Sequence, residues 1–140
     1  MAFEGLFEDR LALRDLLDAY ADAVNRADSD AWAATWDEAG LWSLPGLGLI
    51  EGKAKILDTW RAAMLSFPDI VFRAWPGAID IHGETAAMRS YTEEIYRRDA
   101  ALHRTFGIYD DACRRIDGRW RFTERRFQPL PQLSASEVQS

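Results

Sequence analysis

The side chains of this sequence that could move a proton or hold a charged oxygen fall in two places. The first is YADAVNRADSD, where Tyr20 is followed five positions on by Asn25. A buried phenol needs a hydrogen-bond partner, and one aimed at a substrate oxygen stabilises charge developing there. The competing readings are a core tyrosine bonded to backbone and an asparagine that caps a helix end in the left-handed conformation. The second place is HRTFGIYDDACRRI, which carries His103, Tyr109 and Asp111. An unperturbed imidazole titrates near neutrality, so His103 could serve as general base; a solvated loop histidine beside Arg104 competes with that. Asp111 in a pocket of indole rings would be pushed up by desolvation into the range of a working acid or base, against the alternative of a surface aspartate.

Other chemistries find no support. A single cysteine, Cys113, permits neither an intramolecular disulfide nor a cysteine zinc cluster, and it reads as a small buried apolar residue. The two histidines lie in different elements and have no metal-ligand spacing with Asp or Glu, so no metal is expected. No GxGxxG, P-loop or nucleophile elbow occurs, and no cofactor is expected. A net charge of −6 argues against nucleic acid. The local run Arg114, Arg115, Arg119, Arg121, Arg125 and Arg126 reads as a solvated sheet edge. No apolar stretch approaches the roughly 20 residues of a membrane span, and the acidic start MAFEGLFEDR lacks the basic region of a signal peptide. A cytoplasmic location is the expectation. Six tryptophans in 140 residues could wall a small-molecule cavity as well as fill a core; Trp42, Trp60 and Trp75 are the favoured walls.

The elements that must position these groups follow from periodicity. Leu13, Leu16, Leu17, Tyr20 and Val24 recur at helical spacing over about residues 8–25, with Arg14, Asp15, Asp18 and Asp22 opposite. Asp28 or Ser29 can cap a second short helix through DAWAATW, which would place Trp32 and Trp36 a turn apart. GLWSLPGLGLI reads as a strand entering a Gly/Pro loop. A third helix over about 53–65 turns Ile56, Leu57, Trp60 and Met64 inward. Strands follow: DIVFRAWPG, AIDIH, TAAMRSYTEEIYRR, then HRTFGIYDDACRRI and RWRFTERRF around the hairpin turn DG. Helices followed by an antiparallel meander imply an α+β domain over residues 1–128, with 129–140 as a loose polar tail. Strand alternation groups Asp111 with Tyr109, Gly107, Thr105 and His103; apolarity alone would send the other set, Phe106, Ile108 and Ala112, inward.

Four stretches in this order, YADAVNRADSDAWAATW, IEGKAKILDTW, IHGETAAMRSY and YDDACRRIDGRWRF, resemble the SnoaL-like branch of the nuclear transport factor 2-like superfamily over about residues 8–128. The resemblance implies a cone-shaped α+β barrel, with three N-terminal helices packed on a strongly curved mixed, mainly antiparallel sheet. It also sets Tyr109 and Asp111 toward the cavity. Against the ketosteroid isomerases, Tyr20 matches the helix tyrosine and Asp111 (or Asp110) the second oxyanion donor. Leu44 stands where their base would be and cannot take a proton. Against scytalone dehydratase, Val24 and Asn25 replace the helix Tyr and Asp. Its two pocket histidines fall near Trp75 and Ser90, and its pocket asparagine near Tyr109. The scaffold matches and the water-eliminating set does not.

The expected function is a cofactor-independent lyase or isomerase acting on a small hydrophobic, aromatic substrate by general acid/base chemistry. Dehydration, retro-aldol loss of formaldehyde, cyclisation and double-bond shift all fit that equipment. The catalytic group would be Tyr20, Asp111, His103 and Tyr109. Asn25, Trp42, Trp60, Trp75, Met88 and Ser90 would bind substrate. The alternative is a non-catalytic ligand-binding module or the small subunit of a larger enzyme complex. A homodimer through the convex face is implied by the resemblance.

Overall fold

A computed structural model describes residues 2–130; nearly all of the expected 129–140 tail lies outside the described residues. Helix α1 (Phe7–Arg26) buries Leu13, Leu16, Leu17, Tyr20, Ala23 and Val24, the stripe expected from three- and four-residue spacing. It ends at Ala27 in the left-handed conformation (φ 51°), whose N–H returns to the helix carbonyls. Asn25 is therefore not the cap. It sits in the last turn and holds the helix to the sheet: its Nδ2 donates to the Phe72 carbonyl at 2.7 Å, and the Phe72 N–H donates to its Oδ1 at 2.8 Å.

Asp28 caps α2 (Ser29–Ala33), accepting from the Ala31 N–H at 3.0 Å. The helix is only five residues long. Trp36 is not its next turn but opens strand β1 (Trp36–Leu44). Hairpin partner β2 (Gly48–Glu51) and helix α3 (Lys53–Ser66) follow. Then come β3 (Val71–His82), β4 (Thr85–Arg98), β5 (Ala101–Ile116) and β6 (Arg119–Pro129). The Pro76–Gly77 dipeptide, expected to separate two strands, is instead an irregularity within β3, between Pro76 and Ile79. A proline can be carried there because this is an edge strand.

The sheet runs β2-β1-β6-β5-β4-β3. All neighbours are antiparallel except β1 and β6, which are parallel. Register shifts in β1/β6, β3/β4 and β5/β6 bend it. The result is the expected cone: an unclosed, strongly curved sheet with helices on its concave side. Cross-strand pairs Met88↔Asp111, Ser90↔Tyr109 and Glu94↔Thr105 place those residues on one face, because pairs opposite each other share a face. Met88, Ser90, Tyr109 and Asp111 are buried, so this is the inner face. Phe106, Ile108 and Ala112 take the outer one and are only half-buried. No helix among the described residues is long and apolar enough to cross a membrane.

Candidate functional site

A cavity of about 220 Å³ lies between α1, α3 and the concave face of the sheet. Its walls are mostly apolar, built by Trp42, Trp60, Phe72 and Phe127 among others. Beside the indole N–H groups of Trp42 and Trp60, three of its lining side chains carry an O–H or carboxyl group: Tyr20, Tyr109 and Glu94. Few, well-placed polar groups in an apolar cleft are the usual make-up of a small-molecule site.

Tyr20 is delivered by the buried stripe of α1 and is gripped by Trp32, Phe72 and Phe122 at ring distances of 5.4, 5.9 and 5.7 Å. Tyr109 is delivered by β5. The Trp42 indole N–H donates to its hydroxyl oxygen at 3.1 Å, so the phenol's own proton is the one left to donate, and the Tyr20 hydroxyl lies within its reach. Burial raises the pKa of both phenols, with Arg125 pulling each back, and Trp42 doing so for Tyr109. Both are neutral donors at physiological pH. Glu94 is raised by burial alone. A carboxylate that has lost its water without gaining a cationic partner is a better proton acceptor than a surface one.

Below the cavity floor lies a polar cluster. Arg125 and Asp111 both have fully buried side chains. Arg125 Nε donates to Asp111 Oδ1 at 2.7 Å and its Nη2 to Oδ2 at 3.3 Å. Ser90 accepts from Nη2 at 2.9 Å and donates to Asp111 Oδ2 at 2.9 Å. Burial pushes the Asp111 carboxyl up, opposed by Arg125 and Ser90. Burial likewise disfavours charge on Arg125, but Asp111, Tyr20 and Tyr109 outweigh it and raise the guanidinium. With a direct contact at 2.7 Å the pair is ionic at neutral pH.

Of the residues singled out in the sequence, Tyr20, Tyr109, Trp42 and Trp60 meet at the cavity, and so does Leu44. Asp111 and Ser90 lie beneath it, joined to Arg125, and Met88 is fully buried on the same face. Asn25 ties α1 to β3. His103 is exposed near the open end of β5, stacked on Tyr96 at 5.6 Å. Trp75 stands on the outer face: it pairs with Tyr91, an odd-numbered β4 residue, and stacks on it at 5.9 Å, 38% exposed. Alternation leaves it no route to the cavity.

Two residues were missed. Glu94 has the parity of Met88 and Ser90, which the sequence does assign to the site, and counting by twos along TAAMRSYTEE would have found it. Arg125 was hidden in a run of arginines. It is not solvated but wholly buried, because β6 places it opposite Asp111. Among the described residues, no group of three or more His, Cys, Asp or Glu side chains is placed to hold a metal.

No curated protein matches the sequence significantly. Solved structures do match. A candidate aromatic ring hydroxylase from Novosphingobium aromaticivorans is 28% identical, with 94% of this chain and 95% of that one covered and a TM-score of 0.81. A candidate scytalone dehydratase from the same organism is 19% identical over 89% and 85%, with a TM-score of 0.81. A ketosteroid isomerase-like protein from Erwinia carotovora atroseptica is 19% identical over 91% and 100%, at 0.77. These likenesses show a shared NTF2-like fold. Residues 6–126 match the SnoaL-like domain, nearly the whole described chain, and the protein belongs to that family.

Proposed function

We propose that the cavity is the active site of a cofactor-independent lyase or isomerase for a small cyclic, aromatic or enone-type molecule. The observation that carries this reading is the convergence of two neutral phenols and one desolvated carboxylate on one apolar cavity. Glu94 takes a proton from a carbon or hydroxyl of the substrate. The electron pair moves through the conjugated system onto a substrate oxygen, where Tyr20 and Tyr109 donate hydrogen bonds to the growing charge. Collapse of that charge either takes the proton back from Glu94 at another carbon, which is isomerisation, or breaks a carbon–oxygen bond, the leaving hydroxyl taking the proton held by Glu94 and departing as water, which is elimination. The general base is thus Glu94 rather than Asp111 or His103. Similar structures named as a scytalone dehydratase and a ketosteroid isomerase-like protein support this reaction class.

Size narrows the substrate. The cavity, at about 220 Å³, lies below the roughly 300–1,000 Å³ common for ligand pockets. A single substituted ring suits it better than a fused polycycle.

The test is a screen of phenolic and cyclic-ketone compounds read by product mass, repeated with Glu94→Gln and with Tyr20→Phe. A large fall in turnover is expected in both variants; retention of full turnover in either removes that residue's role. The non-catalytic reading has one observation in its favour: two of the proton-transfer groups expected from the sequence are withdrawn, Asp111 to Arg125 and His103 to the surface. It expects ligands to bind and be released unchanged.

A further inference from the structure

Arg125 has no place in the reaction just described, yet its burial is complete. Its guanidinium carbon lies 3.8 Å from the ring centre of Tyr109, 4.4 Å from that of Tyr20 and 4.3 Å from that of Phe122. Asp111 and Ser90 grip Nε and Nη2, while Nη1 is buried without a partner. As a stabilising device this is a weak choice. A buried ion pair repays its desolvation only with excellent geometry, and apolar residues of similar shape often serve as well. Methionine and leucine at these positions would fill the same space.

What apolar residues would not supply is a fixed positive charge against two phenol rings that line the cavity. A cation over an aromatic face is held by the ring's quadrupole, and it draws density from the ring and its hydroxyl, which strengthens the hydroxyl as a donor. The counter-ion does not cancel this, since the influence of Arg125 on the Tyr20 phenol exceeds the opposing one of Asp111. The guanidinium stacks directly on the rings, whereas Asp111 is bonded at its Nε edge.

We propose that Arg125, locked by Asp111 and Ser90, is a positioning residue that makes Tyr20 and Tyr109 a receptor for a ring-bound oxyanion. The cavity then takes the phenolate or enolate form of a small cyclic ligand in preference to its neutral form; Glu94, which lines the same cavity, opposes the anion while it is ionised, and the preference is the excess of Arg125 and the two phenols over it. This rests on the reading that both phenols face one ligand oxygen, and it names the charge state that oxygen carries.

The probe is 4-nitrophenol, whose neutral and ionised forms absorb differently, so that the fraction ionised when bound can be read across pH. Bound to the wild-type protein, its pKa is expected to fall by about one unit, a roughly tenfold preference for the anion. Arg125→Lys keeps a charge and most of that shift. The double variant Arg125→Met with Asp111→Leu leaves no buried charge unpaired and is expected to lose the shift while its circular dichroism and melting stay cooperative. If the double variant retains the wild-type shift, or if the wild type binds the neutral phenol only or binds no probe, the proposal is overturned. Should the double variant not fold, Ser90→Ala keeps both charges but leaves Nη2 only its longer bond to Asp111, and a smaller shift is expected; an unchanged one overturns the positioning role. Turnover is not read here, so a protein that prefers the phenolate but converts nothing removes the proposed reaction and leaves this inference standing.

Discussion

Glu93 and Glu94 are chemically identical neighbours whose fates differ because successive strand residues face opposite ways. Glu93 is met on the outer face by Arg73 at 3.2 Å and Arg104 at 3.1 Å; Glu94 enters the cavity with no such partner. The raised pKa of Glu94 has two consequences of opposite sign. For stability, folding disfavours its charged form, so this contribution is complete below the ordinary value of 4.5 and is lost as pH rises through the higher folded value. Glu94→Gln should therefore melt at a higher temperature than wild type at neutral pH and at nearly the same temperature near pH 4, as thermal melts at both would show. For activity the base must be ionised, so kcat/KM should rise with pH through a limb displaced above the normal glutamate range. Tyr20→Phe should cost about 10²-fold in kcat without moving that limb. Tyr20 was legible in the sequence because a phenol on an otherwise apolar helix stripe demands a reason. Glu94 was legible only through its strand parity with Met88 and Ser90, because residue type says nothing about which of two adjacent carboxylates turns inward.

Elements were more legible than sites. The periodicity of α1 and α3 and the DG hairpin between β5 and β6 carried over within a residue or two. Trp36 and the Pro76–Gly77 pair did not, since a strand pairing through the sheet overrides a local turn or helix signal. The orientation of β5 could not be read from apolarity. Its inner face is polar because Tyr109 and Asp111 satisfy Trp42 and Arg125, partners contributed by other strands. Gly107 shows the same dependence on a neighbour. A β-carbon there would lie 2.0 Å from the Phe127 ring and 2.9 Å from Thr92 Oγ1, and Phe127 in turn lines the cavity and packs on Tyr109 at 5.0 Å. Gly107→Ala is expected to cost about 1–3 kcal/mol by overpacking, measured by urea denaturation, and to change ligand affinity through the displaced Phe127.

For the whole molecule, curvature divides the sheet into a face that is used and a face that is bare. The parallel pairing of β1 with β6 sets Trp42 beside Arg125, so the first and last strands among the described residues complete one site. On the outer face, Val71, Trp75 and Leu102 remain 56%, 38% and 68% exposed, and Tyr91 and Ile108 continue the cross-strand row of Trp75. The homodimer implied by the family resemblance would cover this face with a second copy. Sedimentation of the wild type should then give twice the monomer mass, and Trp75→Glu should give the monomer; a monomeric wild type removes the idea.

The indoles collected around Trp32 have an optical consequence. Trp32 stacks on Trp60 at 4.7 Å and 12°, and stands 5.5 and 5.9 Å from Trp42 and Trp36. Chromophores so close share their excitation, so these four should emit as one and give a split circular-dichroism band. Trp42 and Trp60 also line the cavity. A ligand that enters should therefore alter the light of the entire array, giving the protein an unlabelled reporter of its own occupancy.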